Sequence, residues 1–208
     1  MRVTAVLLAA GGGTRFQADD ATAGAVGHPV RPHKLLAELD GRPLWRHSLA
    51  HLLDAGFEHV VVVTGAVVIE AASAATQGGT TALEVVHNAA WASGQASSLQ
   101  LAVGAARRQG AEAVVVGLAD QPFVPAAAWR TVADAPPECT LVVATYDGRW
   151  GPNPVRIAAE HWPALPTGGD EGARALLRGL RERVCTVACV GSAADIDTPE
   201  DLARWTSS

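Results

Sequence analysis

The chain has 208 residues, nearly half of them hydrophobic, and a formal charge of −5. That length suits one α/β domain with a core large enough to fold without staples. The hydrophobic share excludes disorder, and the acidic balance excludes a broad nucleic-acid-binding face. Residues 1–208 therefore read as a single domain.

The first apolar run, Val3–Ala10, is a core strand. It is too short to span a bilayer and no cleavage site follows, so a cytoplasmic protein with no membrane partner is expected. Gly11–Gly13 then make a turn whose bare N–H groups can approach an anion, and Arg15 adds a fork of donors suited to phosphate. A plain structural turn is the alternative. A P-loop is excluded because no lysine follows. A dinucleotide fingerprint fails because Phe16 stands at its third glycine, and the second strand ends in Thr64-Gly65 with no acid for a ribose.

Residues 17–33 carry no apolar periodicity and read as a long mobile insert. Asp40-Gly41 is a turn dipeptide between Leu35–Leu39 and Pro43–Leu44, and Pro43 opens a helix to Ala55 that Gly56 stops. His59–Thr64 is a β-branched strand buried on both faces. Val67–Thr76 is predicted as a helix, Leu83–His87 as a strand, Ala96–Gln109 as a long helix and Ala113–Leu118 as another buried strand. Helix Pro125–Asp134, strand Leu141–Thr145, helix Glu171–Arg183, strand Val184–Val190 and helix Pro199–Trp205 complete the series. This alternation points to a largely parallel sheet with helices on both faces. Cys139, Cys185 and Cys189 lack metal-ligand spacing and are expected as buried reduced thiols.

Asp120 stands where the apolar run Val114–Leu118 leaves the sheet, stiffened by Pro122. Ligands of open α/β sheets bind at the carboxyl ends of strands, and a carboxylate there suits Mg²⁺, a hard cation that takes carboxylate and phosphate oxygens. A cap for the helix near Pro125 is too far away to be the reason. Thr198-Pro199 is a cap and first-turn pair, but capping does not require acids at both Asp195 and Asp197; a second carboxylate could complete a metal site with Asp120. Lys34 reads equally as a phosphate ligand or a surface lysine. The segment from Asn88 through Trp91, Gly94, Ser97 and Ser98 could hydrogen-bond a base or ribose, or simply cap a helix. Asp170 is a plausible N-cap. His28 and His33 fall in the insert and are expected in solvent. No nucleophile elbow and no cysteine nucleophile is present.

In their order, Leu8-Ala-Ala-Gly11 through Arg15, Lys34, Asn88 with Trp91, Gly94 and Ser97, Asp120-Gln-Pro122, Gly169-Asp-Glu-Gly-Ala-Arg174 and Asp195-Ile-Asp-Thr-Pro-Glu-Asp201 resemble the MobA-like nucleotidyltransferases, most closely the molybdopterin cytidylyltransferase branch. The resemblance spans nearly the whole chain. It implies a three-layer Rossmann-like α/β fold, mostly parallel with one antiparallel strand. It implies that Leu8, Ala9, Ala10, the Gly11, Gly12 and Gly13 turn, Asn88, Gly94 and Ser97 bind the nucleotide. Arg15, Lys34 and Asp120 would be catalytic, Asp120 and Asp197 would bind Mg²⁺, and Asn153 and Asp170 would meet the acceptor. Ala10, where guanylyl-transferring relatives usually carry glycine, makes CTP the expected donor. The lysine of such proteins usually follows the arginine within about five residues, whereas residues 16–33 intervene here. Gly151-Pro-Asn153-Pro154 stands where the cytidylyl branch often has Gly-His-Pro, and Asn153 cannot carry charge.

Two functions follow from this reading. One is Mg²⁺-dependent transfer of CMP from CTP to a phosphate-bearing acceptor, with molybdopterin foremost, a sugar phosphate as its rival, and a molybdoenzyme or its chaperone as recipient. The other is a non-catalytic nucleotide-binding module that delivers a cofactor. Retention of both Asp120 and Asp197 favours the enzyme.

Overall fold

The computed structural model describes residues 1–18, 33–70 and 81–206. The expected insert falls mostly on residues 19–32, outside that set. Seven strands form one sheet: β1 (Val3–Ala9), β4 (His59–Thr64), β5 (Ala82–His87), β6 (Ala113–Leu118), β7 (Leu141–Tyr146), β8 (Arg149–Ala158) and β9 (Val184–Ala188). Their order is β5-β4-β1-β6-β8-β7-β9. All neighbours pair in parallel except β8, which runs antiparallel to both β6 and β7. A separate hairpin, β2 (Glu38–Leu39) and β3 (Arg42–Pro43), turns at Asp40 and Gly41, both with positive φ as a tight hairpin requires.

The period of two along β1 divides the core. Ala5, Leu7 and Ala9 face one layer, with α2 (Leu44–Asp54) and α4 (Ala126–Ala133) packed there through Trp45, Leu49, Leu52, Trp129 and Val132. Val6, Leu8 and Ala10 face the other, covered by α3 (Gln95–Arg108) and α5 (Ala173–Gly179) through Leu99, Val103, Leu176 and Leu177. This is a three-layer Rossmann-like α/β fold. A third, small cluster joins Phe16 of α1 (Thr14–Ala18), Ala37, Leu39, Leu44 and Ile196. It packs Leu202 of the last helix, α6 (Pro199–Thr206), against the edge of the molecule that holds the site.

Four expectations need correction. Strand β8 was not read from the residues, because Gly151, Pro152 and Pro154 mask its pattern; it supplies the antiparallel strand that the resemblance implied. Residues 67–70 are not helical, and 71–76 of that expected helix lie outside the described residues. The helix expected over Glu171–Arg183 is shorter, ending at Gly179 before a 3₁₀ turn at Arg181–Arg183. Cys139 and Cys185 are not reduced thiols: they form a disulfide across 46 residues, and Cys189 alone is free. Parallel pairing of β7 with β9 puts Val142 beside Cys185 and so brings Cys139 within reach, a proximity that sequence spacing does not encode.

One buried cation belongs to the fold. Arg156, fully buried on β8, donates to the carbonyls of Ala133, Ala135, Pro136 and Cys139, closing the carboxyl end of α4.

Candidate active site

Strands β1 and β6 end side by side, and the chain leaving each enters one cleft of about 350 Å³. At the end of β1 the three glycines have different reasons. A Cβ on Gly12 would lie 2.9 Å from the Trp91 ring, and Gly13 has φ +62 with His33 and Lys34 against it. Gly11 is different: a Cβ there would meet nothing within 4 Å, so packing does not demand the glycine. Its bare backbone faces the cleft.

His33 locks this turn. The Leu35 N–H donates to its Nδ1, so Nε2 carries the proton and donates to the Gly11 carbonyl at 2.9 Å. Burial depresses the His33 pKa below its usual value; the Gly11 contact opposes that and the neighbouring Lys34 charge adds to it. Exposure in solvent was expected for His33, and the structure places it as a clamp instead. An imidazole one residue before Lys34 was the available signal.

Asp120 leaves β6 just after Ala119, whose N–H bonds the Leu8 carbonyl and whose carbonyl accepts from Ser48. The segment before α6 is zipped onto it. The Ile196 N–H donates to the Asp120 carbonyl, and Gln121 Nε2 donates to the Ala193 carbonyl and to Asp195. Ile196 is fully buried in the third cluster, so Asp195 and Asp197 flank an anchored residue. Thr198 caps α6 reciprocally: its Oγ1 accepts from the Asp201 N–H, while its own N–H donates to Asp201 Oδ2.

The result is a compact charge network. Lys34 Nζ lies 2.5 Å from Asp120 Oδ2 and 2.6 Å from Asp197 Oδ1, and Arg15 reaches Asp197 Oδ2 at 2.6 Å. Burial opposes the Lys34 charge, but Asp120 and then Asp197 outweigh it and raise its pKa. Burial first, and then the Asp120 charge, raise the pKa of Asp195. A donor set for a hard divalent cation is present: two carboxylates already converge on one positive charge, and Asp120 Oδ1 is buried with no hydrogen-bond partner among the described residues. No group of three or more His, Cys, Asp or Glu side chains among the described residues forms a metal cage by itself. Any cation here would complete its shell with ligand oxygens.

The expected residues fall into three sets. Leu8, Ala10, Gly11, Gly12, Arg15, Lys34, Gly94, Asp120, Asp170 and Asp197 line the cleft; Ala9 and Gly13 line its adjoining lobe at the glycine turn. Asn153 lines a narrower cavity of about 20 Å³ next to it, shared with Leu8, Gln95, Leu118 and Arg174. Asn88 and Ser97 do not line the cleft. Asn88 is buried, donating to both Ser97 and Ser98 and accepting from the Ala90 N–H, while Ser97 folds back onto the Gly94 carbonyl. Ser98, one residue on, reaches the cleft instead, together with Thr14, Trp91, Gln95 and Arg174. Gly94 also has a packing reason, since Gly169 and Asp170 lie against it.

A family model for the MobA-like NTP transferase domain matches residues 5–184. The chain belongs to the MobA-like NTP transferase family. Nucleotidyl transfer is therefore its activity class. Rv0371c of Mycobacterium tuberculosis H37Rv is 26% identical, with a TM-score of 0.71, covering 100% of this chain and 99% of that one. The same protein has been solved in complex with manganese. A nucleotidyl transferase of Methanothermobacter thermautotroptrophicus is 25% identical, with a TM-score of 0.78 over 99% of this chain and 96% of that one. The inositol-1-phosphate CTP transferase of T. maritima, 17% identical over 100% of this chain and 96% of that one, shares the fold at a TM-score of 0.69. None of the curated proteins compared with the chain matches it in sequence. No helix among the described residues of this family member is long and apolar enough to cross a membrane.

Proposed function

We propose that this MobA-like protein transfers CMP from CTP to a phosphate-bearing acceptor, molybdopterin being the first candidate, and releases pyrophosphate. The observation that carries the reading is the network in which Lys34 bridges Asp120 and Asp197 beside an open Gly11 and Arg15. The N–H groups of Gly11–Gly13 face the triphosphate, and Arg15 and Lys34 neutralise its oxygens. Asp120 and Asp197 hold Mg²⁺, which when bound supplies further charge neutralisation on the triphosphate. The Ala10 methyl, packed beside Gly65 and Trp91, narrows the floor of the cleft and favours a pyrimidine over guanine.

The acceptor, positioned by Asp170 and Asn153, presents a phosphate oxygen in line with the α-phosphorus. That oxygen forms the new bond to phosphorus, the bond to the β-phosphate oxygen breaks, and pyrophosphate leaves with the electron pair. An ionised phosphate needs no protein base, so the side chains contribute orientation and charge stabilisation. The recipient of the product is a molybdoenzyme or its chaperone. The test is pyrophosphate release from each of the four common nucleoside triphosphates, with and without Mg²⁺ and molybdopterin. Release from CTP that requires both supports the proposal. Release from GTP alone, or from CTP with a sugar phosphate and not with molybdopterin, overturns the donor or the acceptor respectively.

A further inference from the structure

Three cationic side chains line the cleft: Arg15, Lys34 and Arg174. Arg15 and Lys34 are tied to Asp197 and Asp120. Arg174 is not. Among the described residues its guanidinium has no ion-pair or hydrogen-bond partner, although its backbone N–H bonds the Glu171 carbonyl. The Glu171 carboxylate, the acid nearest in the chain, is taken by Arg178. Asp170 lines the same cleft without pairing to it.

The position of Arg174 separates it from the other two cations. It lines the main cleft and the narrow cavity beside Asn153, but not the lobe at the glycine turn. A triphosphate held at that turn already has Arg15 and Lys34. Five donors in a planar fork, uncommitted and directed at a cleft, fit the paired oxygens of a second anion.

We propose that Arg174 binds the acceptor's own phosphate monoester. This rests on the nucleotidyl-transfer reading above and assigns the acceptor side of the same site. Two phosphate oxygens accept from the guanidinium fork, which leaves the third oxygen free as the nucleophile. The remainder of the acceptor lies toward the narrow cavity and Asn153. The acceptor is thus a dianionic phosphate monoester, and an acceptor that offers only a hydroxyl lacks the group Arg174 holds.

The experiment uses phenyl phosphate as the probe, titrated by calorimetry into the full chain saturated with Mn²⁺ and a non-transferable α,β-methylene analogue of CTP. Wild type, Arg174→Gln and Arg174→Lys are compared at one ionic strength, with benzyl alcohol as the uncharged control. Loss of a charge-assisted fork weakens phenyl phosphate about tenfold or more in Arg174→Gln. Partial recovery is expected in Arg174→Lys, with less than about a twofold change in analogue affinity. Melting is unchanged in both variants, because Arg174 has no ion pair to lose. Equal or absent phenyl phosphate binding in wild type and Arg174→Gln overturns the proposal. So does loss of the nucleotide analogue in Arg174→Gln, which would place Arg174 on the donor. Failure of the wild type to bind the analogue at all is a different result: it removes the nucleotidyl-transfer reading and this proposal with it.

Discussion

The two ends of the cleft solve opposite problems. At the glycine-turn end both cations are already matched: Lys34 lies between two carboxylates and Arg15 on one of them, beside the small cluster built from Phe16 and Ile196. At the α3–α5 end the polar groups of Asn88 and Ser97 satisfy one another, and Arg174, which lines the cleft there, has no ion pair among the described residues. A pre-matched network resists solvent and holds its geometry before ligand arrives. Unmatched groups cost little while hydrated and gain most from a charged ligand. The first end is therefore suited to a constant substrate, and the second to the one that distinguishes this enzyme.

The largest expected effect breaks the matched end. Asp120→Ala removes one of the two carboxylates on Lys34 but leaves Asp197 in place, so the chain still folds. Turnover should fall by at least about a hundredfold, in the range for losing a principal charge-stabilising group. Steady-state pyrophosphate release alongside circular dichroism checks both halves, and near-wild-type turnover would remove Asp120 from the chemistry.

A smaller effect separates folding from binding within the turn itself. Gly13→Ala forces a side chain into a φ of +62 against His33 and should cost about 1–2 kcal/mol of stability. Gly11→Ala meets nothing, and should leave melting unchanged or slightly raised. It should nevertheless weaken nucleoside triphosphate binding, because its methyl stands where the phosphates approach. Thermal melting and calorimetry of the two variants form the test; tight triphosphate binding by Gly11→Ala would mean the turn is structural throughout.

The smallest effect is a pH dependence at His33. Its folded pKa is lowered, so the unfolded chain binds the proton more readily. The stabilising contribution is complete above the ordinary histidine value of about 6.5 and is lost as pH falls through the lower folded value. Protonating Nδ1 also breaks its bond from the Leu35 N–H. The drop in melting temperature below about pH 6.5 should be shallower in His33→Gln than in wild type. Identical slopes would place the titration elsewhere.

Most of the parallel half of the sheet was legible, because β1, β4 and β6 are unbroken apolar runs buried on both faces. The matched end was legible in part for a related reason: Gly11–Gly13, Arg15 and Asp120 follow directly where such runs stop, whereas Asp197 lies nine residues beyond β9 and is brought in by the bond from the Ile196 N–H to the Asp120 carbonyl. Lys34 was ambiguous, since only the fold returns it across an insert to Asp120 and Asp197. Strand β8 was hidden by its own glycine and prolines, and the disulfide by a pairing of β7 with β9 that no local pattern announces. At the other end, the resemblance implied that Asn88 and Ser97 bind the nucleotide, while the residues alone left a base or ribose contact and a helix cap both open. Asn88 and Ser97 hydrogen-bond each other, and Ser98 faces the cleft in place of Ser97, a one-residue difference of helical phase that composition cannot resolve.

The central claim is that the matched end is a metal-assisted triphosphate site selective for CTP. Calorimetric titration of the α,β-methylene analogues of CTP and GTP into the wild type and Asp120→Ala–Asp197→Asn, each with Mn²⁺ and with EDTA, tests it directly. We expect the CTP analogue to bind wild type at least about tenfold more tightly with Mn²⁺ than with EDTA, and more tightly than the GTP analogue, with the metal effect absent from the double variant. Equal affinity with and without metal in wild type, or tighter binding of the GTP analogue, would contradict it.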